Sequence, residues 1–387
     1  MIKKYLTILL LIIGLHNVFS QGIMQLSVYS EVSVITIGPG EELYEKFGHS
    51  SIRIKDPVLN LDLVYDYGIF DFNAPNFYSN FTKGKLLYKV ARYPFHYVLS
   101  SKKEQKRWVK QQVLNLNQQE RQQLFLFLER NVLPKNATYL YDPFFDNCAT
   151  KIIDNLITVF GNKVSFSSSH LTNKSTLRKL MNIEIHWNTW GSLGINLALG
   201  NKLDKTLNAN QYNYLPDYVY LTIKNARIHG NNLISKERIL LDYKEKENAF
   251  SFTSPFFIFL LLSLIGLLIT YRDYKNNLRS KSLDFIVFFF TGLIGVLVIF
   301  LWFFTNHSTT PNNFNFLWAF APNLIVSFFL LKSEIPKWLK KYNYFILILL
   351  ITIPLVWLTG VQEFSFALIP LLILLVIRYY YLLTFKK

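Results

Sequence analysis

Five apolar runs, at residues 252–271, 285–304, 314–331, 344–360 and 364–384, constrain this chain more than any other feature. Each is about 17 to 21 residues long, enough for a helix to cross a hydrocarbon core of about 30 Å. Backbone groups in lipid must be satisfied within the segment, so runs of this length are expected as helices. Residues 251–387 therefore read as an all-α membrane domain with five spans.

The loops between the runs set its orientation. Arg272, Lys275, Arg279 and Lys281 lie in the first loop, and Lys332, Lys337, Lys340 and Lys341 in the third. The second and fourth loops, 305–313 and 361–363, carry no Lys or Arg, while Arg378, Lys386 and Lys387 lie near the C-terminus. Basic loops stay in the cytoplasm, so the C-terminus is expected there and residues 21–250 on the far side of the membrane. The N-terminus agrees: Lys3 and Lys4, an apolar stretch over 5–15 and a polar stretch ending at Ser20 read as a secretory signal peptide over 1–20. The net charge of +16 comes partly from these topology signals and implies no nucleic-acid partner.

The exported stretch alternates and breaks in ways that predict an α+β domain. Residues 21–38 read as a strand closed by Gly38-Pro39-Gly40. Residues 49–55 and 61–68 read as the arms of a hairpin turning at Asp56-Pro57, and 85–93 as a further strand. Residues 71–84, rich in Asn, Pro and aromatics, predict an ordered loop or short helix. Residues 101–131 read as helical, with Val109, Val113, Leu116, Leu124, Phe127 and Leu128 on one face. Farther on, 193–199 is a glycine-flanked apolar segment, 215–218 a helix start, and 236–248 a charged linker to the membrane. No repeat, phosphate-binding glycine loop or metal-ligand spacing is present, so no metal and no cofactor is expected.

Chemistry concentrates at Cys148, the only cysteine in the chain. Asp146 and Asn147 are good N-cap residues, and 149–160 then predicts a helix with Ile152, Ile153, Leu156 and Ile157 on one stripe. Helix-terminal N–H groups and the dipole favour the thiolate, the reactive form. A lone exported cysteine cannot form an intramolecular disulfide; it is either a nucleophile or a small buried hydrophobe. A nucleophilic thiol needs a base and a third group to orient that base. His49, flanked by Gly48 and Ser50 at the open end of the hairpin, is the base the pattern selects. Asp66 falls near it across the ladder, as orienter or as a solvated carboxylate. The backbone N–H of Cys148 is the expected oxyanion donor.

The order, His49 on a strand and then Cys148 opening a helix behind Asn147, resembles the circularly permuted papain-like arrangement of lecithin:retinol acyltransferase-like enzymes. A closer resemblance covers nearly the whole mature chain. Phe47-Gly48-His49-Ser50-Ser51-Ile52-Arg53, Tyr65-Asp66-Tyr67-Gly68-Ile69-Phe70-Asp71-Phe72, Pro75-Asn76-Phe77-Tyr78 and Asp142-Pro143-Phe144-Phe145-Asp146-Asn147-Cys148-Ala149-Thr150 resemble the Lnb-type lipoprotein N-acyltransferases of Gram-negative bacteria. So do His307-Ser308-Thr309-Thr310, Asn313, Asn315, Leu317-Trp318 and Pro322-Asn323 in the membrane half. Position 66 is Asp where that family has Asn as often, and Pro143 replaces a more usual aromatic.

The resemblance implies an inner-membrane enzyme whose periplasmic domain moves a fatty acyl chain through a Cys148 thioester. The donor would be a membrane glycerolipid or the lipoprotein's own diacylglyceryl group, and the acceptor the α-amine of the lipoprotein's lipidated cysteine. It also implies that His307, Thr309, Asn313, Asn315 and Trp318 frame the substrate. The residues by themselves equally allow a membrane-anchored cysteine peptidase or amidase acting on cell-wall peptides, or a non-enzymatic sensor or assembly module.

Overall fold

Alternating β-branched residues build the exported half around one mixed-length sheet. The computed structural model describes residues 24–246 and 251–385; the expected signal peptide lies outside them. The strands are β1 (Glu31–Ile37), β2 (His49–Asp56), β3 (Leu61–Ile69), β4 (Leu87–Pro94), β5 (Val109–Leu114), β6 (Thr138–Leu140), β7 (Val164–Ser165), β8 (Arg227–Ile228), β9 (Asn231–Asn232) and β10 (Ile234–Leu241). Seven form an antiparallel sheet in the order β10-β5-β1-β2-β3-β4-β6; β7, β8 and β9 form a small separate one. The exported-half helices are α1 (Phe77–Thr82), α2 (Phe95–Glu104), α3 (Gln118–Asn131), α4 (Cys148–Phe160), α5 (Leu177–Glu184), α6 (Trp190–Ala198) and α7 (Pro216–Lys224).

The hairpin is pinned at its turn. Buried Asp56 accepts hydrogen bonds from the Val58 and Leu59 amides and from Ser27, and Asn60 takes the left-handed conformation that lets β3 return. On one face of the sheet, Ile52, Ile54, Tyr65 and Tyr67 pack against Leu124 and Leu128 of α3, Ile152, Ile153 and Leu156 of α4, and Val219 and Ile223 of α7. On the other, Ile35, Ile37, Val64 and Val109 pack against Phe95 and Val98 of α2. The expected stripe of α4 is narrower than its sequence pattern, since Ile157 is exposed.

Two segments differ from the sequence expectation. The helix expected over 101–131 is α2, then β5, then α3. Val109 and Val113 are β-branched strand residues between β1 and β10, and the glutamines that resemble a solvated helix face are buried. Gln111 donates to Ser33 Oγ at 2.8 Å and Gln112 to the Tyr220 carbonyl at 3.1 Å. The charged linker expected over 236–248 is instead strand β10 as far as Leu241, and its last residues, 247 and 248, lie outside the described residues. Its Lys236, Glu237 and Arg238 suit an edge strand, where charge is tolerated and discourages further pairing.

The membrane half contains α8 (Pro255–Asn276), α9 (Lys281–Phe303), α10 (Asn323–Phe329), α11 (Lys337–Leu358) and α12 (Ile369–Thr384). Among the described residues four helical segments are long and apolar enough to cross a membrane. The third expected span, 314–331, is not one of them: a single turn at Phe314–Leu317 gives way to Pro322 and the seven-residue α10. This segment lies directly on α9. A Cβ at Gly292 would stand 2.0 Å from the Leu324 nitrogen, and one at Gly295 2.2 Å from the Ala319 oxygen. Such close approach gives the irregular backbone protein contacts in place of lipid. Lys337, Lys340 and Lys341, expected in a loop, form the first turns of α11. Near the basic loops, fully buried Arg378 joins the helices by pairing with Asp284 at 2.7 Å and Asp273 at 2.8 Å.

Candidate active site

The open end of the β2–β3 hairpin and the start of α4 meet at one point. Gly48 precedes β2 with φ +72°, and a Cβ there would lie 2.7 Å from the Ile37 carbonyl oxygen. Only glycine admits that approach without strain, and it delivers His49 to the first position of the strand, opposite Ile37. His49 Nε2 bonds to Asp66 Oδ1 on β3, and the second carboxylate oxygen accepts from the Tyr93 hydroxyl on β4. Tyr93 is placed diagonally, two residues past Ala91, the direct partner of Asp66. Cys148 is a close electrostatic neighbour of the same ring, so carboxylate and sulfur both act on the imidazole.

Cys148 is the first residue of α4 and is partly exposed. Asn147 holds it there with every polar atom engaged. Its Oδ1 accepts from the Ala149 and Thr150 amides at 2.9 Å each, its Nδ2 donates to the Pro143 and Tyr214 carbonyls at 2.8 Å, and its own N–H donates to Thr150 Oγ1. The cap leaves the Cys148 N–H without a protein acceptor among the described residues, next to the thiol. Asp146 pairs through its backbone with Asp142 and through its carboxylate with Lys151 at 2.6 Å. Asn147 and Asp146 thus position the helix start. Ser50 is fully buried behind His49, and its hydroxyl finds no partner among the described residues.

Burial opposes a charge on His49, but the Asp66 carboxylate and the Cys148 sulfur outweigh it and hold the imidazolium well above its ordinary value. Burial, and next the Cys148 sulfur, push the Tyr141 hydroxyl well above its usual range, so this neighbour stays neutral. Gly68, at the β3–β4 irregularity and with φ +90°, keeps the cleft open: a Cβ there would lie 3.3 Å from the Tyr141 ring and 3.8 Å from Cys148 Cβ.

The membrane half touches this site through the loop after α9. The Asn306 N–H donates to the Lys83 carbonyl, and a Cβ at Gly84 would lie 2.5 Å from the His307 nitrogen. Burial lowers the basicity of His307, against the opposing effect of the Phe81 and Thr82 backbone. Ser308 donates to Asp142, whose other oxygen accepts from the Phe144 and Phe145 amides in the loop leading to Cys148.

Other residues expected to frame a substrate are placed differently. Asn313 Nδ2 donates to the Leu197 carbonyl at 2.7 Å, Asn315 Nδ2 to the Asn196 carbonyl at 3.0 Å, and Trp318 Nε1 to Asn315 Oδ1 at 3.0 Å. The Thr309 carbonyl accepts from the Gly200 amide at 2.9 Å. All four are buried where the loop joins α6 and the segment after it, leaving almost no surface for a ligand.

Sequence reasoning missed Tyr93, Gly68, Tyr141 and the Ser308–Asp142 bond. Tyr93 and Gly68 carried signals, an aromatic one strand over and a glycine two residues after Asp66; the other two depend on loops meeting from distant parts of the chain.

Fold and site together define a membrane protein with an extramembrane α+β domain that carries a thiol, imidazole and carboxylate in sequence. Residues 21–182 match the model of the Lnb N-terminal periplasmic domain, and residues 245–387 that of the Lnb transmembrane domain. With both halves matched in order, the chain belongs to the Lnb family, and its α+β half is a periplasmic domain. No curated protein and no solved structure matches the chain.

Proposed function

We propose that this protein is a lipoprotein N-acyltransferase working through a thioester on Cys148. The observation that carries the reading is His49 bonded to Asp66, with the Cys148 thiol at the start of α4 as a close electrostatic neighbour of the ring. His49 takes the thiol proton, the sulfur attacks the ester carbonyl of a glycerolipid, and the tetrahedral oxyanion accepts a hydrogen bond from the free Cys148 N–H. As the intermediate collapses, the carbon–oxygen bond to glycerol breaks and His49 passes its proton to the departing oxygen. The α-amine of the lipidated cysteine then attacks the thioester, His49 takes the proton from nitrogen, the carbon–sulfur bond breaks, and an amide is left. Asp66, itself held by Tyr93, keeps the ring oriented through both halves. Ester is exchanged for the more stable amide, so no nucleotide is needed to drive the transfer.

The His-then-Cys order on strand and helix supports a permuted papain-like relationship. Basic loops at 272–281 and 332–341 support a cytoplasmic C-terminus in the inner membrane. The segment from 304 to 331 then makes the fifth crossing as a broken helix against α9. Docking of its outer part on the periplasmic half keeps the site near the bilayer, where an acyl chain need not enter water at a cost of about 0.8 kcal/mol per CH₂. Thr309, Asn313, Asn315 and Trp318 act as docking contacts in this arrangement, leaving His307 nearest the cleft.

The test is the intact mass of a model lipoprotein made in cells lacking other N-acyltransferases. Wild type should yield an acylated N-terminus and Cys148→Ala a free amine, and the number of chains left on the glyceryl group identifies the donor. A free amine in both cases sinks the lipid reading and makes cell-wall peptides the next substrates to try.

A further inference from the structure

A continuous row of aromatic rings leaves the Cys148 cleft and ends on the membrane half. Tyr141, beside Gly68 and Cys148, stacks on Tyr88 with centroids 4.4 Å apart and planes at 26°. Tyr88 stacks on Phe70 at 4.9 Å, Phe70 on Phe77 at 6.0 Å, and Phe77 on Phe81 at 6.1 Å. Phe81 then meets the His307 ring edge-on at 6.4 Å. Phe72 packs against Phe70 and Phe77, yet it is 47% exposed, and Phe81 is 48% exposed.

Exposed apolar surface of this kind marks an interface. Its two ends restrict the occupant: one lies at the nucleophile, the other at a loop of the membrane domain. A peptide would want a long free strand edge, but β4, which carries Tyr88, is paired on both sides, and the free edge beside it is only the three-residue β6. The row itself offers rings in place of a line of hydrogen-bonding groups. A narrow apolar chain that comes from the bilayer and carries its reactive carbonyl at one end fits both termini.

We propose that this aromatic row seats the donor's fatty acyl chain, with the carbonyl at Cys148 and the methyl end towards Phe81 and His307. The proposal rests on the acyl-transfer reading and adds a residue set that measures chain length. Phe72 and Phe77 form its outer wall, and Tyr141 and Tyr88 the wall nearest the thioester.

The full chain in detergent is reacted with p-nitrophenyl palmitate and p-nitrophenyl acetate, following acylation of Cys148 by intact mass and release of p-nitrophenolate. In Phe72→Ala and Phe77→Ala the palmitate-to-acetate rate ratio should fall about tenfold, the equivalent of lost contact with roughly two methylene groups. An unchanged ratio in both variants overturns the row as an acyl site while leaving the thioester intact. If wild type forms no acyl-Cys148 with either ester, the acyl-transfer reading fails and the row falls with it. A phospholipid carrying a diazirine at the acyl terminus gives a readout independent of turnover. Label in the 70–81 peptide supports the row, and label confined to the transmembrane helices overturns it even where the thioester forms.

Discussion

The cleft around Cys148 and the loop around Asn313 both gather buried polar side chains, but they treat them in opposite ways. In the loop the buried side-chain amides of Asn313, Asn315 and Gln362 all find partners. Asn313 Oδ1 alone accepts from the Asn315 amide at 3.0 Å and its side chain at 2.9 Å, and Gln362 Oε1 takes the Phe314 amide at 2.9 Å. In the cleft the supporting atoms of Asn147, Asp66 and Tyr93 are engaged, while the Cys148 N–H is free and the thiol is partly exposed beside an imidazole that can exchange its proton. Satisfied polar groups hold parts together; groups left open at a partly exposed edge are the ones able to do chemistry.

Substitutions in each region test this contrast. The largest effect is expected from Cys148→Ala, which should lower acyl transfer by about a thousandfold or more while leaving thermal unfolding in detergent nearly unchanged. Lost activity with lost fold would return the cysteine to the role of a packing residue.

Asp66→Asn comes next, with a loss in rate of about a hundredfold. It should also move the pH dependence. Asp66 and Cys148 raise His49 above its ordinary 6.5 against the opposing effect of burial. The stability from that pairing is therefore complete below pH 6.5 and is lost as pH climbs through the raised value. With Asn at 66 this loss, and the alkaline limb of the rate profile, should begin at lower pH. Profiles that superimpose would remove Asp66 from the orienting role.

In the docking loop, Asn315→Ala should leave the Asn196 carbonyl and the Trp318 N–H without their partner. A loss of about 1–3 kcal/mol is expected in unfolding, with acylation of Cys148 by a small soluble ester little affected. A selective rise in KM for lipid, with stability unchanged, would restore Asn315 as a substrate contact. Smallest is Tyr93→Phe, which removes one of two partners of Asp66 at a cost of about 1 kcal/mol, read as a several-fold drop in rate at constant Tm.

The hairpin that presents His49 was legible because alternation and an Asp-Pro turn are local signals, and the Cys148 helix because Asn147 precedes an apolar stripe. Strand β5 was not. Gln111 and Gln112 carry a polar pattern that fits a solvated helix, and only partners on β1, β10 and α7 make their burial tolerable. Strand β10 was hidden in the same way by charges that suit an exposed edge. The 314–331 run has the hydropathy of a span, but Gly292 and Gly295 on another helix let a broken backbone pack there instead.

The sequence by itself determined which residues are apolar enough for a membrane, where a helix must start at Cys148, and which strand carries His49, since each depends on neighbours a few residues apart. The tertiary structure decided how Tyr93 and Asp66 back the imidazole, and that Asn147 closes the cap against Tyr214. It also decided that the loop after α9 ties the two halves together beside the thiol. Those outcomes depend on hydrogen bonds and ring contacts between segments tens to hundreds of residues apart, where no local pattern specifies the partner.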